Sequence, residues 1–185
     1  AQFRTDLQHA TDEIRHLVTV PNPALLGDIA LISDGVFGQA FVHTEQDIHV
    51  FTSDGRVYLL DRTQKVFKPV SVQEPLAQAT IAASADDQTI YSLTQDQRVF
   101  QFKKDEAKQL PITLTKPDGN FVDLLAYAGR LYLLSVTDGD SQLYRYARAG
   151  DGFGAPTRWI TSKTTTLRDA RAFTIDGTVY ILKQN

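Results

Sequence analysis

Four short runs, "DIHVF", "TIYSL", "RLYLL" and "TVYIL", recur along this 185-residue chain at nearly constant spacing. Their first apolar residues are Ile48, Ile90, Leu131 and Val179, separated by 42, 41 and 48 residues. A small apolar run precedes each one: "GQAFVH", "ATIAAS", "DLLAYAG" and "ARAFTIDG". A further run follows at a steady offset, "RVYLLD", "RVFQF" and "QLYRY", and a more variable one closes the unit at "KVFKPVSV", "KQLPITL" and "TRWITS". Runs of β-branched and aromatic residues bounded by Asp, Gly and Gln turns read as strands. Four strands in a repeat of about 40–45 residues is the signature of a β-propeller blade. One meander cannot bury both of its faces, whereas neighbouring meanders cover each other.

The expected fold is therefore all-β: a β-propeller of repeated four-stranded blades, about three and a half present, preceded by a short α-helix. Blades are expected at about 36–72, 78–115, 121–163 and 167–185, within a partial ring spanning 28–185. Ala79, Ala82, Ala83, Ala170 and Ala172 suit the crowded centre where first strands converge, and Tyr58, Tyr91, Phe100, Tyr132, Tyr144 and Tyr180 the wider space between blades. "DIALIS", 28–33, reads as an orphan strand that would serve as the outer strand of the last blade.

Residues 1–20 place Phe3, Leu7, Ala10, Ile14 and Leu17 at alternating steps of four and three, one apolar helical stripe ended by "PNP" at 21–23. This reads as the end of a helical or coiled-coil segment that packs on an upstream helix or on the following domain. Two heptads are too few for an isolated coiled coil. The chain begins inside a helical pattern and lacks Met, as a segment of something longer would, with room for a membrane anchor upstream. No apolar run in it approaches the length needed for direct membrane insertion. The compartment is left open.

The third interval is the longest because of "AGDGFGAP", with glycines at 150, 152 and 154. A phosphate-binding loop needs a following helix whose N-terminal N–H groups face the anion. Pro156 and the strand pattern "TRWI" follow instead, so the glycines are expected to supply positive φ angles in a long hairpin, with Phe153 and Trp159 packing it down.

The absence of cysteine removes disulfides, thiolate metal sites and cysteine nucleophiles. Net charge is −3, which argues against nucleic acid as a partner. The charge is uneven: residues 1–141 carry 12 Lys/Arg against 19 Asp/Glu, and residues 142–185 carry 7 against 3. No G-x-S-x-G elbow, H-E-x-x-H helix or H-R-D loop occurs. His9 and His16 share a helix face without a third ligand, and "TDGDSQ", 137–142, lacks the glycine and final glutamate of a calcium loop. His43 and His49 flank "TEQDI", where Glu45 and Asp47 make a metal imaginable, but no wider ligand pattern supports one. No cofactor, metal or catalytic residue is assigned. The ligand-binding candidates are His43, Asp47, Asp54 and Asp96, all in or beside turns.

"GFGAPTRW" and the ending "LRDARAFTIDGTVYILKQN", with the four repeated units, resemble the propeller region of large bacterial membrane-associated proteins, some similar to 2C-type protein phosphatases. The resemblance spans residues 1–185 and implies a non-catalytic interaction or sensing module outside a catalytic domain. No phosphatase metal-binding aspartate motif has a counterpart here. The expected role is a propeller module that binds a protein partner, a ligand or the rest of a larger parent chain. One alternative is a hydrolase-like propeller enzyme with its site at the channel mouth. The other is a structural module that forms homo-oligomers through open blade edges.

Overall fold

The computed structural model describes residues 2–14, 20–32, 34–45, 47–70, 80–103, 106–112, 120–137, 141–161 and 166–184. Helix α1 (Gln2–Ile14) is followed by β1 (Gly38–His43), β2 (Ile48–Thr52), β3 (Val57–Asp61) and β4 (Val66–Pro69), an antiparallel meander in chain order. The same order recurs in β5 (Thr80–Asp86), β6 (Thr89–Thr94), β7 (Val99–Lys103) and β8 (Glu106–Gln109). It recurs again in β9 (Asn120–Tyr127), β10 (Arg130–Val136), β11 (Gln142–Ala149) and β12 (Gly152–Arg158). A hairpin of β13 (Ala170–Asp176) and β14 (Thr178–Lys183) ends the chain.

The repetition extends to irregularities. Each first strand meets its second strand with a register shift near one end, passing over Gln39, Ile81, Val122 and Arg171 in turn. A bulge adds local right-handed twist, so all four modules are bent at the same place. The first strands carry the stack: β5 lies against both β1 and β9, and β9 against β13.

Three apolar layers fill the spaces between modules. Val42, Phe51 and Val57 meet Ile90, Phe100, Phe102 and Ala107 between the first two sheets. Tyr91, Leu93 and Val99 meet Phe121, Leu124, Leu131 and Tyr146 between the second and third. Tyr132, Leu134 and Leu143 meet Leu167, Ala170, Phe173 and Ile175 between the third sheet and the hairpin. Burial along the strands follows this stacking. β6 and β10 are buried almost continuously because a sheet covers each side, whereas β14, covered on one side, alternates. Each fully buried aliphatic or aromatic side chain contributes about 1.5–3 kcal/mol.

Several elements differ from the sequence expectation. Residues 28–33 hold no strand among the described positions: Ile29–Leu31 is a 3-10 turn, started by Asp28 Oδ1 accepting from the Ala30 N–H at 2.9 Å. Its apolar alternation lies beside Gly27, which is seated against Leu60 and Phe67 of the first sheet. Ser33, like Leu17 and Ala79, lies outside the described residues. Phe3 and Leu7 are exposed, so this part of the α1 stripe does not pack on the sheets. The outer strand of the second module is "EAKQ", not "KQLPITL", because Pro111 has no N–H to extend the ladder. That of the third begins at Gly152; it tolerates Pro156 because it is an edge strand. Of the three glycines only Gly150 takes a left-handed φ, +56°; Gly152 and Gly154 lie within β12. Phe153 and Trp159 do pack the hairpin down, against Tyr91 at 5.6 Å and Tyr132 at 4.6 Å between ring centroids. Tyr180 is the exception among the six aromatics: it faces solvent on the hairpin.

Candidate functional site

The turns come in matched pairs. "TSDGR", 52–56, and "TQDQR", 94–98, join the second and third strands of the first two sheets. In the first, the buried Thr52 hydroxyl lies 2.6 Å from Asp54 Oδ1 and 2.9 Å from the Arg56 carbonyl, and Arg56 Nε is 3.3 Å from Asp54 Oδ2. In the second, the Thr94 hydroxyl lies 2.5 Å from Asp96 Oδ1, with Arg98 Nε at 2.7 Å from Asp96 Oδ2. Partial burial opposes the charge of both carboxylates. The threonine hydroxyl and the arginine outweigh it, holding Asp54 and Asp96 below the usual aspartate range. Both candidates are thus occupied in closing their own turns.

His43 and Asp47 flank the turn between β1 and β2, at the opposite end of the strands from Asp54. There the Asp47 N–H donates to Thr44 Oγ1 at 3.1 Å and the Thr44 N–H to the Asp47 carbonyl at 2.9 Å. His43 pairs with Ile48, and His49 with Val42, one step along the ladder. The two imidazoles therefore leave opposite faces of the sheet, His49 on the buried side with Val42. Among the described residues no three His, Asp or Glu side chains gather to hold a metal ion. The His9 side chain, His16 and the centre of "TDGDSQ" lie outside the described residues.

What sequence reasoning missed is a set of polar side chains linking one first strand to the next. Ser84 Oγ on β5 accepts from the Ala126 N–H on β9 at 3.1 Å, and Asp86 Oδ2 from the Gly129 N–H at 2.6 Å. Asp123 on β9 repeats the device one module on, its Oδ2 accepting from the Phe173 N–H on β13 at 2.8 Å and Oδ1 from the Leu124 N–H at 2.9 Å. The available signal was an aspartate inside the apolar strand "FVDLLAY". Burial raises the Asp123 pKa more than those two N–H groups lower it.

That shift has a sign. A folded-state pKa above the unfolded value of about 3.9 favours folding at low pH, and the benefit is lost as pH rises through the raised value. Asp123→Asn abolishes this titration. The melting temperature of the variant relative to wild type should move in the variant's favour as pH climbs from below the unfolded value to neutrality. The opposite-signed contributions of Asp54 and Asp96, lost as pH falls, cancel in the difference. A flat or reversed difference between the two melting curves would contradict this account.

On the outer rim, Gln101, Lys103, Glu106, Lys108, Arg148 and Asp151 line a cleft of about 240 Å³ between the second sheet and the β11–β12 turn. Its three cations and two carboxylates suit a charged peptide better than a small apolar molecule. No described helix is long and apolar enough to cross a membrane.

No family model and no curated protein matches the chain. Solved structures do. The computationally designed Ika4 protein aligns at TM-score 0.56 and 11% identity, over 91% of this chain and all of that one. Prp20p from Saccharomyces cerevisiae, a structure reported with its binding to Gsp1p and histones, aligns at TM-score 0.53 and 12% identity over 84% of this chain. BamB from Moraxella catarrhalis aligns at 0.50 and 8% over 78%. This chain spans 43% of the Prp20p chain and 39% of the BamB chain. At such identities the likeness is one of fold: four-stranded antiparallel modules in a propeller-like arrangement.

Proposed function

We propose that this chain is a propeller scaffold whose modules present a protein-binding surface and carry no reaction of their own. The observation that supports it most is the occupation of its turn carboxylates: Asp54 and Asp96 close turns, and Asp86 and Asp123 tie modules together. A channel-mouth enzyme needs convergent acids free to exchange protons. The candidate acids lie on different turns, Asp47 at one end of the strands and Asp54 at the other. On this reading the mixed-charge cleft at Lys103, Lys108 and Arg148 is where a partner segment docks, and the phosphatase-like membrane proteins that the sequence resembles would carry such a module beside their catalytic domain.

The test is a partner captured by proximity labelling in the source cell, then purified and titrated against the chain. Reversal of Lys103, Lys108 and Arg148 to glutamate should weaken that binding by about tenfold or more, with a steep salt dependence in wild type only. Unchanged affinity would remove the cleft from the reading. A turnover abolished by Asp54→Asn or Asp96→Asn would replace the scaffold with an enzyme.

A further inference from the structure

Because the modules repeat, each position at one junction has a counterpart at the next. The register aligns Leu59 and Asp61 of β3 with Gln101 and Lys103 of β7, and Lys68 of β4 with Lys108 of β8. These side chains leave the face of their sheet that meets the following module. That module answers with Phe102 on β7 in the first case and with Tyr146, its counterpart on β11, in the second. Two apolar positions thus turn polar from one junction to the next, Leu59 to Gln101 and Phe102 to Tyr146. One carboxylate, Asp61, gives way to a cation, Lys103. All three changes fall at the junction that holds the cleft of about 240 Å³.

In the first module Lys68 Nζ is neutralised by Asp61 Oδ2 at 2.7 Å. In the second, Lys108 has Lys103 in place of that carboxylate, and Arg148 lines the cleft from the third sheet. Ion pairs among the described residues form at Asp54, Asp61 and Asp96. Glu106 and Asp151 also line the cleft, yet neither pairs within 4 Å with any of its three cations. Tyr146 supplies a second, independent sign. It has no exposed surface, and its Oη lacks a hydrogen-bond partner among the described residues. It stands two residues before Arg148 on β11, on the face turned to the second sheet. A buried hydroxyl without a partner is costly, and native proteins satisfy one with water or a ligand.

We propose that the cleft is a receptor for the acidic side chains of an extended partner segment. This rests on the scaffold reading and names what the docked segment must carry. Its carboxylates take the place that Asp61 fills for Lys68, and they accept the unused hydrogen bond of Tyr146. A cleft of about 240 Å³ is several times the share of about 30 Å³ of one water, more than a single small anion fills. The sheet edge fits an extended chain. β8 is the outermost strand of the second sheet and contains no proline, whereas the outer strands β4 and β12 carry Pro69 and Pro156. A segment laid along β8 pairs with its free backbone edge and sends alternate side chains over the face that bears Lys103 and Lys108.

Fluorescence anisotropy of a labelled Glu-Thr-Glu-Thr-Glu-Thr peptide titrated with the purified chain tests it, beside a Gln-Thr peptide of the same length. Saturable binding of the acidic peptide alone is expected, weakening as salt is raised. Lys103→Asp, which restores the arrangement of the first module, should weaken it by about tenfold or more. Tyr146→Phe, which restores the residue type of Phe102, should also weaken it by about tenfold while raising the melting temperature of the free chain. A hydroxyl with a merely structural role would not move both readings in those directions. Equal binding of the Gln-Thr peptide, displacement by equimolar inorganic phosphate, or indifference to either substitution would each overturn the proposal. If neither peptide binds but the captured partner is lost on charge reversal of the cleft, the acidic segment falls and the docking reading stands. If the acidic peptide binds as described but the partner ignores Lys103→Asp, the anion receptor stands and the docking reading falls.

Discussion

Leu133→Ala should cost about 2–5 kcal/mol of stability, lowering the melting temperature by roughly 5–15 °C, while the same change at Leu7 stays within about 0.5 kcal/mol. Both leucines occupy periodic apolar positions in the sequence. Leu133 lies on β10 with no exposed surface, in the layer between the second and third sheets. Truncating it removes three buried carbons in the middle of the stack, where neither sheet can collapse without disturbing the layer on its other face. Leu7 lies on α1 and is 58% exposed, so its removal deletes little buried surface. Urea denaturation of the two variants against wild type decides the matter. Equal costs would mean that the helix is packed or that the sheets are not stacked.

The module repeat was legible because its cause is local. A strand buried on both sides must be apolar nearly throughout, and β6 and β10 write that requirement directly into "TIYSL" and "RLYLL". Outer strands carry a weaker imprint. "EAKQ" pairs with β7 through backbone groups and buries little but Ala107, so nothing in its composition marked it, and the apolar "LPITL" beside it drew the assignment instead. "DIALIS" alternates like a strand, but Asp28 caps a 3-10 turn at Ile29–Leu31, and none of its described residues lies in a strand. Tyr180 failed for a different reason. Its residue type and register match Tyr132, yet whether such a side chain is buried depends on a next module, which no local pattern can report.

The candidate site was legible only in part. Asp54 and Asp96 were identifiable as equivalent turn residues, since "T-x-D-x-R" recurs 42 residues apart. Their hydrogen bonds to Thr52 and Thr94 follow from that spacing. The links from Ser84 and Asp123 to the next module are not local: their acceptor oxygens meet N–H groups 42 and 50 residues away. They become visible only once the sheets are stacked.

Gln97→Ala is expected to be the most damaging change outside the apolar layers, at about 2–5 kcal/mol. Gln97 sits in the β6–β7 turn at φ +66°, where the equivalent residue of the first sheet is Gly55 at +78°. A glutamine in the left-handed region is strained by about 1–2 kcal/mol relative to an ordinary conformation. The compensation is a two-point contact with the third sheet: Oε1 accepts from the Phe121 N–H at 2.7 Å and Nε2 donates to the Phe121 carbonyl at 3.2 Å, both buried. Removing the side chain strands two buried backbone groups, each at a cost of about 1–3 kcal/mol. Two variants separate the contributions. Gln97→Gly relieves the backbone but still breaks the contact, so it should lie about 1 kcal/mol above Gln97→Ala and still below wild type. Amide exchange at Phe121 should accelerate in both variants, with the β10–β11 ladder little changed, because only the edge of the third sheet that meets the turn loses a partner. A Gln97→Gly protein as stable as wild type would mean that glycine is simply the better turn residue and that this contact holds nothing together.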